Sequence, residues 1–195
     1  MALKGQKTTT GFIQWDILMS LILKLQRDKE YKFCLLIAIG CFTGLRISDI
    51  QNLTWKLVLD QDVINLVEKK TKKHRKIKIN SDLKDIINKC YILMKSPPIE
   101  EYVLINKYKT KPIRIQWVNE KLKQIFIGYG IKTTNASSHT LRKTFGRRVW
   151  ELNNHSEKSL LLLSEIFNHS SVQITKRYLG IREEELFDVY DMLGI

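Results

Sequence analysis

Asn168-His169-Ser170-Ser171-Val172-Gln173-Ile174-Thr175-Lys176-Arg177-Tyr178 is a turn running into a short helix that starts at about residue 171 and carries a tyrosine nine residues after a histidine. A tyrosine in a short amphipathic segment is, on its own, a core or surface residue. What this one does depends on the rest of the chain. Just upstream, residues 157–167 read as an apolar helix. Just downstream, Leu186, Val189, Tyr190 and Leu193 recur at i, i+3, i+4 and i+7, the stripe of a terminal helix. That stripe has two readings. It closes the chain's own core, or it docks on a neighbouring copy.

Further upstream the pattern is mostly helical. Ile13, Ile17, Leu21 and Leu25 keep helical spacing over 13–27. Residues 30–42 form a more apolar, more buried helix that ends at Thr43-Gly44, glycine being the usual residue beyond a helix C-terminus. A third helix is expected over about 46–54. The period then changes, and 58–60, 63–68 and 74–80 read as short strands with turns at 60–62 and 71–73. Ser81 or Asp82 can cap a helix running to about Met94, stopped by Ser96-Pro97-Pro98. Residues 102–105 read as extended and 107–112 as a basic loop. Helices follow over about 114–127 and 140–152, with a polar linker at 133–138 between them. The expectation is a mainly α protein with a small antiparallel β-sheet (α+β): a flexible polar lead-in at 1–11, one domain at 12–182, and a C-terminal helix at 183–195.

A chain of 195 residues can bury one sizeable core, and 44% hydrophobic content with three prolines suits a folded globule. The longest apolar run, Phe33 to Phe42, is far too short to span a bilayer. The first residues lack the apolar centre of a signal peptide. Cys34, Cys41 and Cys90 have no CxxC spacing and read as reduced, buried thiols, not as a zinc site. The net charge is +13, from 33 Lys and Arg against 20 Asp and Glu, which suits a polyanionic partner. The charge is also clustered: Lys69, Lys70, Lys72, Lys73, Arg75, Lys76 and Lys78 form one run, and Arg142, Lys143, Arg147 and Arg148 another. Ile77 and Ile79 alternate with Lys76 and Lys78, as in a half-exposed strand and unlike a membrane-surface helix. A polyanion and not a membrane surface is therefore the expected partner, in a cytoplasmic setting.

Four separated pieces carry the chemistry. They are Thr43-Gly44-Leu45-Arg46, Lys70 in the hairpin after a strand, His139-Thr140-Leu141-Arg142, and Asn168-His169 with Tyr178 nine residues on in Arg177-Tyr178-Leu179-Gly180. In order and approximate spacing this set resembles the catalytic domain of the tyrosine recombinases, the phage integrase family, across residues 12–182. Any one piece is weak, and the ordered set is specific. The resemblance implies a largely helical domain with a small antiparallel sheet. It implies cleavage and rejoining of double-stranded DNA through a 3′-phosphotyrosine, without metal or ATP, in a nucleoid-associated setting.

The same resemblance assigns roles. Tyr178 is the nucleophile, and Arg46 and Arg142 clamp the phosphate. Two fixed guanidinium forks suit the charge that builds on non-bridging oxygens, each lowering the barrier by roughly 3 kcal/mol. A phenol with a free pKa of about 10 needs a base, and an electropositive site that favours phenolate. His139 is the candidate for that proton, while His169 donates to a phosphate oxygen. Lys70 protonates the leaving 5′-hydroxyl; it is chosen over Lys69, Lys72 and Lys73 because it precedes Thr71 as in the family's pattern. Asp49, one helical turn past Arg46, would hold that arginine in place. Lys72, Lys73, Arg75, Lys143, Arg147, Lys176 and Arg177 are expected along the DNA backbone. Trp15, Trp55, Trp117 and Trp150 read as packing residues.

The chain departs from the pattern in places. Asn168 stands where the family usually has glycine, and asparagine tolerates the left-handed backbone better than most residues. Asp49 stands where glutamate is common. The family usually carries a helical core-binding domain ahead of the catalytic one; with about eleven residues before the first expected helix, the expectation is that this domain is absent, either removed or never there. Assembly as a tetramer on DNA, through the C-terminal helix, follows from the resemblance. Two alternatives use the same residues or the same fold: a type IB topoisomerase-like relaxing activity, and a non-catalytic DNA-binding regulator.

Overall fold

The computed structural model describes residues 10–70 and 72–193. Most of the expected lead-in, Thr71 of the expected turn, and the last two residues lie outside them. Ten helices and one two-stranded sheet are described: α1 Trp15–Arg27, α2 Tyr31–Thr43, α3 Ile47–Ile50, α4 Trp55–Val58, β1 Val63–Val67, β2 His74–Lys78, α5 Ser81–Leu93, α6 Ile115–Gly128, α7 Ser138–Leu152, α8 Glu157–Phe167, α9 Val172–Leu179 and α10 Ile181–Asp191.

The core is built around α2. Every residue from Phe33 to Cys41 is buried, so no side of this helix is left for water. A helix apolar all round belongs at a centre, with neighbours on every face. Those neighbours are α1, α3, α5 and α7. Gly44 ends α2 at φ +62°. A Cβ there would stand 2.5 Å from Phe145 Cδ1, so glycine is required both by the left-handed cap and by the close approach of α7. A second, smaller cluster joins Leu160, Leu163, Phe167, Leu179 and Ile181, with Phe145, Val149 and Trp150 of α7 packed against it. Helix α7 thus bridges the two clusters, and Leu141 faces the first while Phe145 faces the second. Gly146 lets α8 and α9 close onto α7: a Cβ would lie 2.5 Å from Leu179 Cδ2 and 3.0 Å from Phe167 Cζ.

Several sequence expectations are corrected. The helix expected at 46–54 is two single turns, α3 and α4, because the chain bends at 51–54 to form a bridge between Thr54 and Tyr102. Residues 58–60 end α4 and turn, with Asp60 at φ +53°, instead of forming a strand. The sheet is the antiparallel pair β1 and β2, in register Val63 with Lys78 to Val67 with His74. The cap of α5 is Asn80, whose Oδ1 accepts from Leu83 N–H at 3.0 Å, one residue ahead of the expected caps. Within the lead-in, Gly11 N–H donates to Thr134 O (2.8 Å) and Thr10 O accepts from Lys143 Nζ (2.7 Å), so its end is fastened to the body.

Candidate functional site

The two arginines come from the ends of two different elements. Arg46 is the residue before α3, in extended backbone. Arg142 lies in the first turns of α7, which begins with a capping box between Ser137 and Thr140. Their guanidinium groups meet at one atom. Arg46 Nη2 and Arg142 Nη2 each donate to the Phe167 carbonyl at 3.0 Å. Arg142 Nη1 also donates to Gly44 O, and its guanidinium lies 4.3 Å from the centre of the Phe167 ring. The last carbonyls of a helix carry partial negative charge, so α8 offers these cations a fixed partner. Burial pulls the Arg142 guanidinium down to about 10, still charged at neutral pH.

Arg46 is held by Glu68, which sequence reasoning did not single out. Glu68 is 3% exposed, and its two oxygens take Arg46 Nη1 and Arg75 Nη1 at 2.9 Å each. Arg75 also donates to Thr43 O at 3.4 Å. Asp49, expected to hold Arg46, instead accepts from Lys69 N–H through Oδ1 at 2.9 Å and is buried. The two acids divide the work by position: Asp49 fastens the chain entering the hairpin, and Glu68 fastens the arginine. The available signal was a lone acid immediately ahead of the basic run.

After α8, Asn168 takes up the left-handed conformation (φ 51°, ψ 51°) and turns the chain so that His169 and α9 face the arginines. Ser171 caps α9 by accepting from Ile174 N–H. Tyr178, near the end of α9, packs edge-on to both His169 and Phe167, with ring centres 5.4 and 5.5 Å away. Its hydroxyl donates to the His139 carbonyl at 3.4 Å. Burial pushes the phenol up to about 12, while Arg142 and Arg46 pull it down. The electropositive neighbourhood thus acts in the expected direction, but desolvation outweighs it in the free protein. His169 is driven down to about 4 by burial, then by Arg142 and Arg46. His139 is held below its ordinary value by desolvation and by Arg142, Arg46 and Lys70. Both rings are neutral near pH 7. Lys70 is exposed at the hairpin, close enough to be felt by His139.

The expected DNA-contacting residues divide. Lys72, Lys73 and Arg177 are exposed. Lys73 Nζ reaches Asn168 Oδ1 at 2.8 Å, tying the hairpin to the His169 turn. Arg75, Lys143, Arg147 and Lys176 have internal partners instead. Arg147 pairs with Glu184 (2.7 Å), and Lys176 with Glu157 (2.8 Å) and Glu185 (3.0 Å), which fastens α10 to the body. Beside Tyr178 and His139 opens a groove of about 770 Å³, lined among others by Asn119, Lys123, Lys143 and Arg177.

Of the tryptophans, Trp55 is fully buried, and Trp117 is 46% exposed while touching Phe33. On α10, Leu186, Phe187, Val189 and Tyr190 are all exposed, so the terminal stripe does not close the core. Among the described residues of α10, Ile181, at its start, is the one that joins the second cluster. No helix among the described residues is long and apolar enough to cross a membrane.

Residues 15–185 match the phage integrase family. This chain belongs to that family. It is 34% identical over 177 residues to the probable integrase/recombinase YoeC of Bacillus subtilis (strain 168), an alignment covering 88% of this chain and 93% of that protein. Its fold is similar to the crystal structure of XerA recombinase (TM-score 0.71, 19% identity, 97% of this chain and 67% of that one). It is also similar to XerH site-specific recombinase bound to a palindromic difH substrate as a post-cleavage complex (TM-score 0.67, 17% identity, 98% of this chain and 56% of that one). The fold class expected from the sequence, mainly α with a small antiparallel sheet, is that of these integrase-family proteins.

Proposed function

We propose that this chain is the catalytic domain of a site-specific recombinase, cleaving and rejoining double-stranded DNA through a 3′-phosphotyrosyl intermediate. The observation that carries the proposal is the meeting of Arg46, Arg142, His139, His169 and Tyr178 around the end of α8. A protein similar in fold, XerH site-specific recombinase, was solved bound to a palindromic difH substrate as a post-cleavage complex.

The phosphate enters where the two guanidinium groups converge, and their unused N–H groups take its non-bridging oxygens. Neutral His139 accepts the phenol proton as Tyr178 Oη forms its bond to phosphorus. The bond from phosphorus to the 5′-oxygen breaks, and Lys70 supplies the proton to that oxygen. Neutral His169 donates to a phosphate oxygen. The phenol's high pKa in the free protein sets a requirement: proton removal accompanies attack, because little phenolate exists beforehand. No metal or ATP enters these steps. Lys72, Lys73 and Arg177 contact flanking phosphates, and the exposed face of α10 docks on a second copy to build the assembly on DNA.

The test is incubation of wild type and Tyr178→Phe with nicked duplexes in EDTA, followed by denaturing electrophoresis. An SDS-stable protein–DNA adduct from wild type alone is the expected outcome. An adduct from Tyr178→Phe overturns the assignment of the nucleophile. Salt-sensitive binding without an adduct from either protein favours a DNA-binding regulator.

A further inference from the structure

Thr175 lies one helical turn before Tyr178 on α9 and is fully buried, 0% exposed. Its Oγ1 is 3.0 Å from His169 Nδ1. A hydroxyl has one proton to place and a buried one needs an acceptor. Thr43 and Thr144, also buried, place theirs on the carbonyl four residues back, at 2.6 and 2.9 Å. Thr175 makes no such bond among the described residues. Its backbone N–H goes to Ser171 O, and its hydroxyl meets only the imidazole. A hydrogen on Nδ1 would turn that contact around and orphan the hydroxyl proton in the core.

We propose that Thr175 is a positioning residue whose hydroxyl donates to His169 Nδ1 and thereby fixes the ring as the tautomer with its proton on Nε2. Burial and the neighbouring arginines keep the ring neutral, so there is a single ring proton to assign. With Nδ1 occupied as an acceptor, Nε2 is a donor and has no lone pair for a proton from Tyr178. The two histidines therefore cannot exchange roles: His139 alone is available as the base, and His169 serves as a donor to oxygen. What that donor serves rests on the recombinase reading. The tautomer does not.

The experiment is long-range proton–nitrogen correlation NMR on the full chain, labelled with nitrogen-15 in histidine, near pH 7. His169 is assigned by comparison with His169→Asn. Wild type is expected to show Nε2 protonated and Nδ1 displaced as a hydrogen-bond acceptor. In Thr175→Val, Nδ1 moves to the position of an unbonded nitrogen and a minor Nδ1-protonated form appears. Thr175→Ser retains the wild-type pattern. A proton on Nδ1 in wild type, or a Thr175→Val spectrum identical to wild type, overturns the proposal. On a nicked duplex at saturating DNA, Thr175→Val is expected to cleave about 10- to 100-fold more slowly with binding unchanged, and Thr175→Ser to recover most of that loss. If the spectra agree and wild type cleaves nothing, the recombinase reading falls while the tautomer assignment stands.

Discussion

Replacing Glu68 by glutamine separates holding an arginine from merely carrying charge. The carboxylate is nearly solvent-free and bridges Arg46 to Arg75 with two 2.9 Å contacts. Glutamine keeps the shape and one acceptor oxygen but turns an amide N–H₂ toward one of the two cations. Removing one partner of a buried ion pair costs about 3–5 kcal/mol, and the retained acceptor puts this change at about 3. For a domain of this size each kcal/mol moves Tm by about 2–4 °C, so a fall of about 6–12 °C is expected in thermal unfolding followed by circular dichroism. Arg46, freed from its anchor, should also clamp less well, and cleavage of a nicked duplex should fall by about 10²-fold or more at a temperature where the variant is folded. Duplex binding, measured by fluorescence anisotropy across a salt series, should be no weaker, because a negative charge beside two arginines has gone. A Tm shift below about 2 °C together with unchanged cleavage would refute the reasoning and reduce the bridge to an incidental contact.

Other outcomes follow from the same geometry. The folded pKa of His169, about 4, lies below its ordinary value, so the unfolded chain binds the proton first as pH falls. Stability is therefore full above about pH 6.5 and is lost as pH drops toward 4; with half the ring near solvent the loss is about 1–2 kcal/mol, read from urea midpoints at pH 7.5 and 4.5, and His169→Asn should flatten the difference. Gly44→Ala combines a left-handed backbone with a Cβ against Phe145 and should destabilise by about 2–4 kcal/mol; a midpoint matching wild type would mean that α7 is free to shift. Phe187→Asp with Tyr190→Asp, at positions 58% and 70% exposed, should abolish self-association on DNA in analytical ultracentrifugation and leave the monomer's Tm within about 1 °C. Loss of folding instead would place that face in the protein's own core.

The helices with strong periodicity or obvious stops were legible in the chain, because one residue's neighbours at three and four positions already define a face. The apolar run in α2 and the Gly44 stop illustrate this. The break between α3 and α4 was not legible, since it depends on Thr54 pairing with Tyr102, almost fifty residues away. The candidate site divides in the same way. Arg46, His139, Arg142, His169 and Tyr178 stood out by residue type and spacing. Glu68 did not, because a single acid before a basic run carries no period, and its value comes from two arginines that the fold brings to it. Arg75, Lys143, Arg147 and Lys176 were read as DNA-facing from charge alone, but charge does not tell which way a side chain points. Their partners (Glu68, Thr10 O, Glu184 and Glu185) lie on other elements.

The oxygen that both clamping arginines share belongs to the backbone of Phe167. An alanine scan is blind to it, since every amino acid would present the same carbonyl. What specifies it is the length of α8 from its Ser156 cap to the Asn168 turn. One residue inserted in that helix would swing the carbonyl by about 100° and carry it out of reach of both guanidinium groups. Substitution at 167 would report on the buried ring that packs against Arg142, His169 and Tyr178, whereas the constraint on the carbonyl itself is written in spacing, not in letters.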